Sequence, residues 1–130
     1  MQSTAINPWT WQDKFGFSQA IEVTQASGTL YCAGQSAISA DGKPAGNTMA
    51  EQLKLALENV KTVVEQAGYS TANIVRLNIY TTSIEEYFAA AGEYAAWLQA
   101  NNCKPPGTLL EIKALVFPEL MIELEATAVR

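Results

Sequence analysis

The sequence predicts an α+β domain in the order β-β-α-β-α-β-β, one sheet with two helices packed on one face. Three observations carry this expectation. Residues 121–129 alternate, with Ile122, Leu124, Ala126 and Ala128 on one side of an extended chain and Met121, Glu123, Glu125, Thr127 and Val129 on the other. Two stretches, from Met49 and from Ile84, repeat their apolar residues every three or four positions, the period of a helix with one buried face. Each helical stretch feeds an extended one, and right-handed crossovers put both helices on the same side of the sheet. The other face is then left open, and its Met, Leu, Tyr and Val residues predict cover by another subunit.

The elements follow in order. Residues 1–15 read as irregular. Pro8, Trp9 and Trp11 stand out there; packing of an arm onto the body is the plainer account of the tryptophans, ligand stacking the alternative. Residues 17–24 and 29–33 read as strands, and Ala26-Ser27-Gly28 between them reads as the turn of a hairpin. Asp41-Gly42 and Pro44 make residues 34–46 a loop.

The first helix is capped by Asn47 or Thr48, with Thr48 and Glu51 forming a capping box. Met49, Leu53, Ala56, Leu57, Val60, Val64 and Ala67 make its apolar stripe, and Gly68 stops it. Residues 74–81 are rich in strand formers, with Val75, Leu77 and Ile79 on one face and Arg76, Asn78 and Tyr80 on the other. Ser83 and Glu86 begin the second helix, which ends at Asn101-Asn102 and Pro105-Pro106. The last quarter reads as two strands, 109–114 and 121–129, joined by a turn that holds Pro118. Glu111, Glu123 and Glu125 project from this partly apolar surface, and a covered carboxylate needs partners.

Composition narrows the function. The 130 residues suit a single domain, 1–130, with a real core. A 48% hydrophobic and 16% charged composition is low in charge, in keeping with surface buried in an oligomer. A net charge of −5 with only eight Lys and Arg disfavours nucleic acid as a partner. No apolar run approaches the ~20 residues that cross a bilayer, and the first residues lack signal-peptide character, so no membrane partner and a cytoplasmic location are expected. Cys32 and Cys103 read as free thiols without metal spacing. The chain has no histidine, which excludes His-based triads and nearly all zinc enzymes. Catalysis here must use carboxylates, hydroxyls, lysine, arginine, backbone groups or water.

The segments FSQAIEV, LYCAGQ, DGKPAGNTMAEQ, ALENVKTVVEQAG, IVRLNIYTT and IELEATAVR together resemble the YjgF/RidA family, from about Phe17 to Arg130. The resemblance implies a chorismate-mutase-like fold and a homotrimer whose sheets enclose a barrel, with small-molecule clefts between subunits. It also implies hydrolysis of imines and enamines, such as 2-iminopropanoate, to a keto acid and ammonia, with no cofactor and no metal.

The family's site maps onto this chain position by position. The water-positioning glutamate matches Glu123, the expected catalytic residue. The arginine that clamps a substrate carboxylate, a role suited to a planar bidentate donor, is replaced by Gly107 in Pro105-Pro106-Gly107-Thr108. The family's tyrosine is Phe17, its serine is Ala33 followed by Gly34 and Gln35, and its asparagine is Ala91, three residues before Tyr94. Phe17, Ala33, Gly34, Ala91 and Gly107 are therefore the expected substrate-binding positions. Losing the charged contact costs on the order of 1.5–3 kcal/mol, and the pocket becomes roomier and less polar. A larger or less anionic ligand is expected. Arg76 and Lys104 are the replacement cations nearest in sequence, and Gly107→Arg is expected to restore carboxylate affinity unless Gly107 has positive φ or the surrounding residues fail to hold the arginine. Two functions stay open: a divergent imine or enamine deaminase, and a non-catalytic trimeric module that binds a metabolite. Glu123 itself has two readings, a water-orienting base and a structural carboxylate paired with Arg76 or another strand residue.

Overall fold

Strand β7 (Ile122–Val129) takes partners along both edges. In the computed structural model, which describes residues 1–130, β5 (Ile74–Thr81) runs antiparallel to it on one side. β3 (Thr29–Tyr31) and β4 (Gln35–Ser36) pair antiparallel with it on the other. β6 (Leu109–Glu111) lies parallel to β5 and ends the mixed five-stranded sheet, in the order β3-β7-β5-β6 with β4 beside β7.

The predicted alternation of β7 is what seats the core. Ile122, Leu124, Ala126 and Ala128 are buried against α1 (Met49–Gln66) and α2 (Ile84–Ala100). Leu53, Leu57, Val60 and Val64 of α1 and Tyr87, Tyr94, Trp97 and Leu98 of α2 complete it. Each such side chain contributes roughly 1.5–3 kcal/mol when fully buried. The α+β expectation, two helices on one face of one sheet, holds.

The caps hold with one shift. The Thr48 hydroxyl accepts the Glu51 N–H at 3.2 Å, and the Glu51 carboxylate accepts the Asn47 N–H, one residue before the expected partner, at 2.7 Å. Gly68, at φ +80°, ends α1 in the left-handed region that glycine adopts freely. Asn59 donates to the Ser36 and Ile38 carbonyls at 2.9 Å each and ties α1 to β4. Buried Gln52 spans the Glu119 carbonyl and the Met121 N–H and holds the entry to β7.

Three expectations are corrected. Residues 1–15 are not all irregular: β1 (Gln2–Ile6) pairs antiparallel with β2 (Ala20–Thr24) in a separate two-stranded ribbon. The expected hairpin between 17–24 and 29–33 does not form. β3 pairs with β7, and Ser27 and Gly28 donate to the Arg130 carbonyl, so the turn is tied to the C-terminus. The two strands of the last quarter are not neighbours, because β5 lies between β6 and β7, and β6 stops at Glu111. No helix is long and apolar enough to cross a membrane.

Candidate functional site

The three carboxylates of the last quarter have three different fates. Glu111 receives the Ile84 N–H at 3.0 Å and caps the start of α2. Glu125 receives Asn78 Nδ2 and the Tyr80 hydroxyl, each at 3.0 Å, on the sheet face away from the helices. Asn78 passes the link on, accepting the Thr108 N–H at 3.1 Å. The bond to Glu125, with some burial and the carboxylate's charge, pushes the Tyr80 phenol up. Glu123 shares that open face, directly across from Tyr80, yet no hydrogen bond of the chain reaches it. The structural role foreseen for a carboxylate here is filled by Glu125, and Arg76 pairs with neither.

Glu123 lies against open backbone. Its carboxylate lies over Gly34, where an added Cβ would collide with it. Gly34 sits in the short gap between β3 and β4, next to exposed Ala33. Ala33, Gly34 and Glu123 thus form one corner of the molecule, with a half-buried carboxylate beside open backbone.

Phe17, Ala91 and Gly107 form a second corner. They line a cavity of about 390 Å³ on the helix side of the sheet, together with Leu77, Ile79 and residues of α2. Phe17 packs edge-on to Trp11 with centroids 5.9 Å apart and stacks on Phe15 at 6.5 Å. Lys14 holds its ammonium 5.0 Å from the Phe15 ring and is the charged residue of the lining. Nothing in its sequence context singles it out. A one-turn helix over Asp13–Phe15 presents these side chains, and Gly16, at φ +77°, turns the chain out of it. Trp9 and Trp11 remain 58% and 55% exposed, so neither is buried by arm packing; Trp11 lines the cavity instead.

Gly107 is tightly placed. An added Cβ would run into the Leu77 carbonyl of β5, so the position is closed to side chains as the sheet stands. This obstacle to Gly107→Arg differs from the positive φ weighed in the sequence. At the cavity wall, burial pushes the Tyr87 phenol up to about 12. Burial also raises Tyr94, with Tyr87 and Cys103 adding to it. No group of three or more His, Cys, Asp or Glu residues is placed to hold a metal ion.

The six expected site residues therefore do not meet within one chain. The Glu123 corner lies on the open face beside β4, and the Gly107 corner lies on the helix side at β6. Two strand spacings separate β7, which carries Glu123, from β6, roughly 10 Å at ~4.8 Å each, and the two corners lie on opposite faces of the sheet.

A family model described as Endoribonuclease L-PSP matches residues 12–130. The chain belongs to this family, the YjgF/RidA family. Among solved structures, the Rid family protein YyfB of Yersinia pestis is 34% identical, with a TM-score of 0.87 and complete coverage of both chains. A RutC family protein of Pasteurella multocida is 36% identical over 81 residues, 61% of this chain and 62% of that protein. The 2-iminobutanoate/2-iminopropanoate deaminase of Escherichia coli is 29% identical over 82 residues, 63% of this chain and 64% of its own length. The chain thus spans less than two thirds of these two relatives.

Proposed function

We propose that this RidA-family protein hydrolyses imines or enamines to carbonyl products and ammonia without a cofactor, with Glu123 orienting the attacking water. The observation that carries the reading is the contrast on β7. Glu125 is saturated by Asn78 and Tyr80, whereas Glu123 is left without a partner beside Gly34. A carboxylate with free lone pairs can accept a proton from water. Water adds its oxygen to the C=N carbon and one of its protons passes through the carboxylate to nitrogen, giving a carbinolamine. The remaining hydroxyl proton then passes to nitrogen by the same route, the C–N bond breaks, and ammonia leaves as the carbonyl forms. The deaminase named in Escherichia coli supports this reaction class for the family.

The separation of the two corners supports an inter-subunit cleft. A cyclic assembly joins one patch of each subunit to a different patch of the next. A homotrimer built this way sets the Glu123 corner of one subunit against another surface of its neighbour, and the open sheet face is covered in the process. The family description names an endoribonuclease, but a net charge of −5 and the absence of histidine favour a small molecule over RNA here.

The test is ammonia release from freshly generated imines, with wild type against Glu123→Gln and Glu125→Gln. Glu123→Gln is expected to lower the rate about 10²–10⁴-fold, the usual contribution of a positioned general base, while the fold stays intact. Glu125→Gln should loosen the fold more than it lowers the rate. Binding of an imine without any turnover would favour the second reading, a non-catalytic metabolite module. The closed Gly107 position, which denies the site its carboxylate clamp, is what supports that reading.

A further inference from the structure

We propose that the cavity between α2, the start of β6 and the aromatic turn at residues 11–17 binds a small molecule with a ring-sized apolar body and one anionic group, received by Lys14. The proposal names the ligand class for the expected substrate-binding positions Phe17, Ala91 and Gly107 and rests on that reading for its place; it concerns binding alone, so it can fail while hydrolysis at Glu123 stands.

Size comes first. Close-packed interiors leave few voids larger than a water molecule, and a cavity of about 390 Å³ falls in the range of small-molecule pockets. It is far larger than a three-carbon imino acid requires. Ala91 leaves part of this space open, because it stops at a methyl where a bulkier residue would reach in.

The lining sets the chemistry. Trp11, Phe15 and Phe17 form one wall, and α2 and the sheet supply the others, so the ligand body must be apolar. Two phenols break that surface. Tyr87 and Tyr94 are 5% and 7% exposed, and neither hydroxyl has a hydrogen-bond partner in the chain. Buried phenols ordinarily find one. The sealed polar side-chain atoms without partners are those of Gln12, Gln19 and Trp97, so these two hydroxyls are not closed off by protein. They offer a ligand two donors inside an apolar pocket.

Lys14 sets the charge. It is the lining's one charged residue, its ammonium held beside the Phe15 ring rather than paired with a carboxylate. A cation against an apolar wall takes an anion in preference to a neutral group. An aryl or branched alkyl carboxylate meets all three conditions. Lys14 then stands in for the cation that the Gly107 position cannot carry, from a different part of the chain.

The experiment titrates the full chain with 3-phenylpropanoate and with neutral 3-phenylpropan-1-ol, read by tryptophan fluorescence and by amide chemical shifts. The carboxylate is expected to bind about tenfold or more tightly than the alcohol, as a charge-assisted contact gives. Lys14→Gln, at an exposed position, should erase that preference, weakening the carboxylate about tenfold more than the alcohol. Ala91→Phe should weaken both ligands by filling the cavity. If Ala91→Phe does not fold, the wild-type shift map decides: changes must cluster on Tyr87, Ala91 and Tyr94. Shifts confined to the open face of β7, equal affinity for the two probes, or no saturation at millimolar ligand each overturn the proposal.

Discussion

At Gly34 an added Cβ would meet the carboxylate of Glu123, the loose end of a side chain; at Gly107 it would meet the carbonyl of Leu77, part of the sheet itself. The two glycines are both expected substrate-binding positions, and neither has positive φ, so conformational freedom explains neither. Gly34 makes room for the Glu123 side chain. Gly107 makes room for a strand. A sequence shows the same letter at both places. What differs is whether the neighbour in contact is able to move.

The largest effect is expected at Gly107. Gly107→Ala forces the start of β6 away from β5, where Leu77 N–H bonds the Pro106 carbonyl at 3.0 Å and Ile79 N–H bonds the Thr108 carbonyl at 2.8 Å. Overpacking of this kind costs typically 1–3 kcal/mol, and the urea midpoint should fall accordingly. Gly107→Arg carries the same penalty, so it should lose stability without gaining affinity for pyruvate. A neutral Gly107→Ala would break the contrast, since β6 would then have room to yield.

Gly34→Ala should do the reverse. Only the flexible end of Glu123 has to swing aside, so stability should change by no more than about 0.5 kcal/mol, as for ordinary surface substitutions. The displaced carboxylate should cost imine hydrolysis about tenfold or more, because small misplacements of a reacting group are expensive. Unchanged hydrolysis in a folded Gly34→Ala variant would remove the geometric role of this corner.

The sequence made the helices and the two long strands legible because each has a strong period and local stop signals. Ile122, Leu124, Ala126 and Ala128 alternate; Thr48 and Ser83 mark helix starts. β1 was not legible because Gln2–Ile6 is exposed along its whole length and has no apolar face to betray it. The pairing of β3 with β7 was missed because Ala26-Ser27-Gly28 looks like a local turn, whereas its amides bond a residue some hundred positions away in sequence, Arg130. At the site, alternation alone put Glu123 and Glu125 on one face. It was silent on which of them Asn78 and Tyr80 would occupy. Lys14 was invisible for a further reason: a lone lysine in an arm acquires meaning only when the chain folds a cavity behind it.

The smallest effect tests the cavity corner by pH. Tyr87, at the cavity wall, is raised to about 12, and Cys103, outside the lining, to about 11, both by burial, from ordinary values of 10.0 and 9.0. A raised value means that the folded chain holds its proton more tightly than the unfolded chain does. The stability this contributes is full below the unfolded value and is lost as pH rises toward the folded one. Stability owed to these groups should therefore be flat near neutrality and fall from about pH 9, through Cys103 first and then Tyr87. Tyr80 on the open face is raised as well, through its bond to Glu125, so the wild-type decline alone does not separate the corners. Tyr87→Phe does. Compared at neutral and alkaline pH, its urea midpoint should decline less steeply above about pH 10 than that of the wild type. A parallel decline would mean that the Tyr87 hydroxyl is hydrated at the cavity wall and ionises freely, and the two corners would then respond alike.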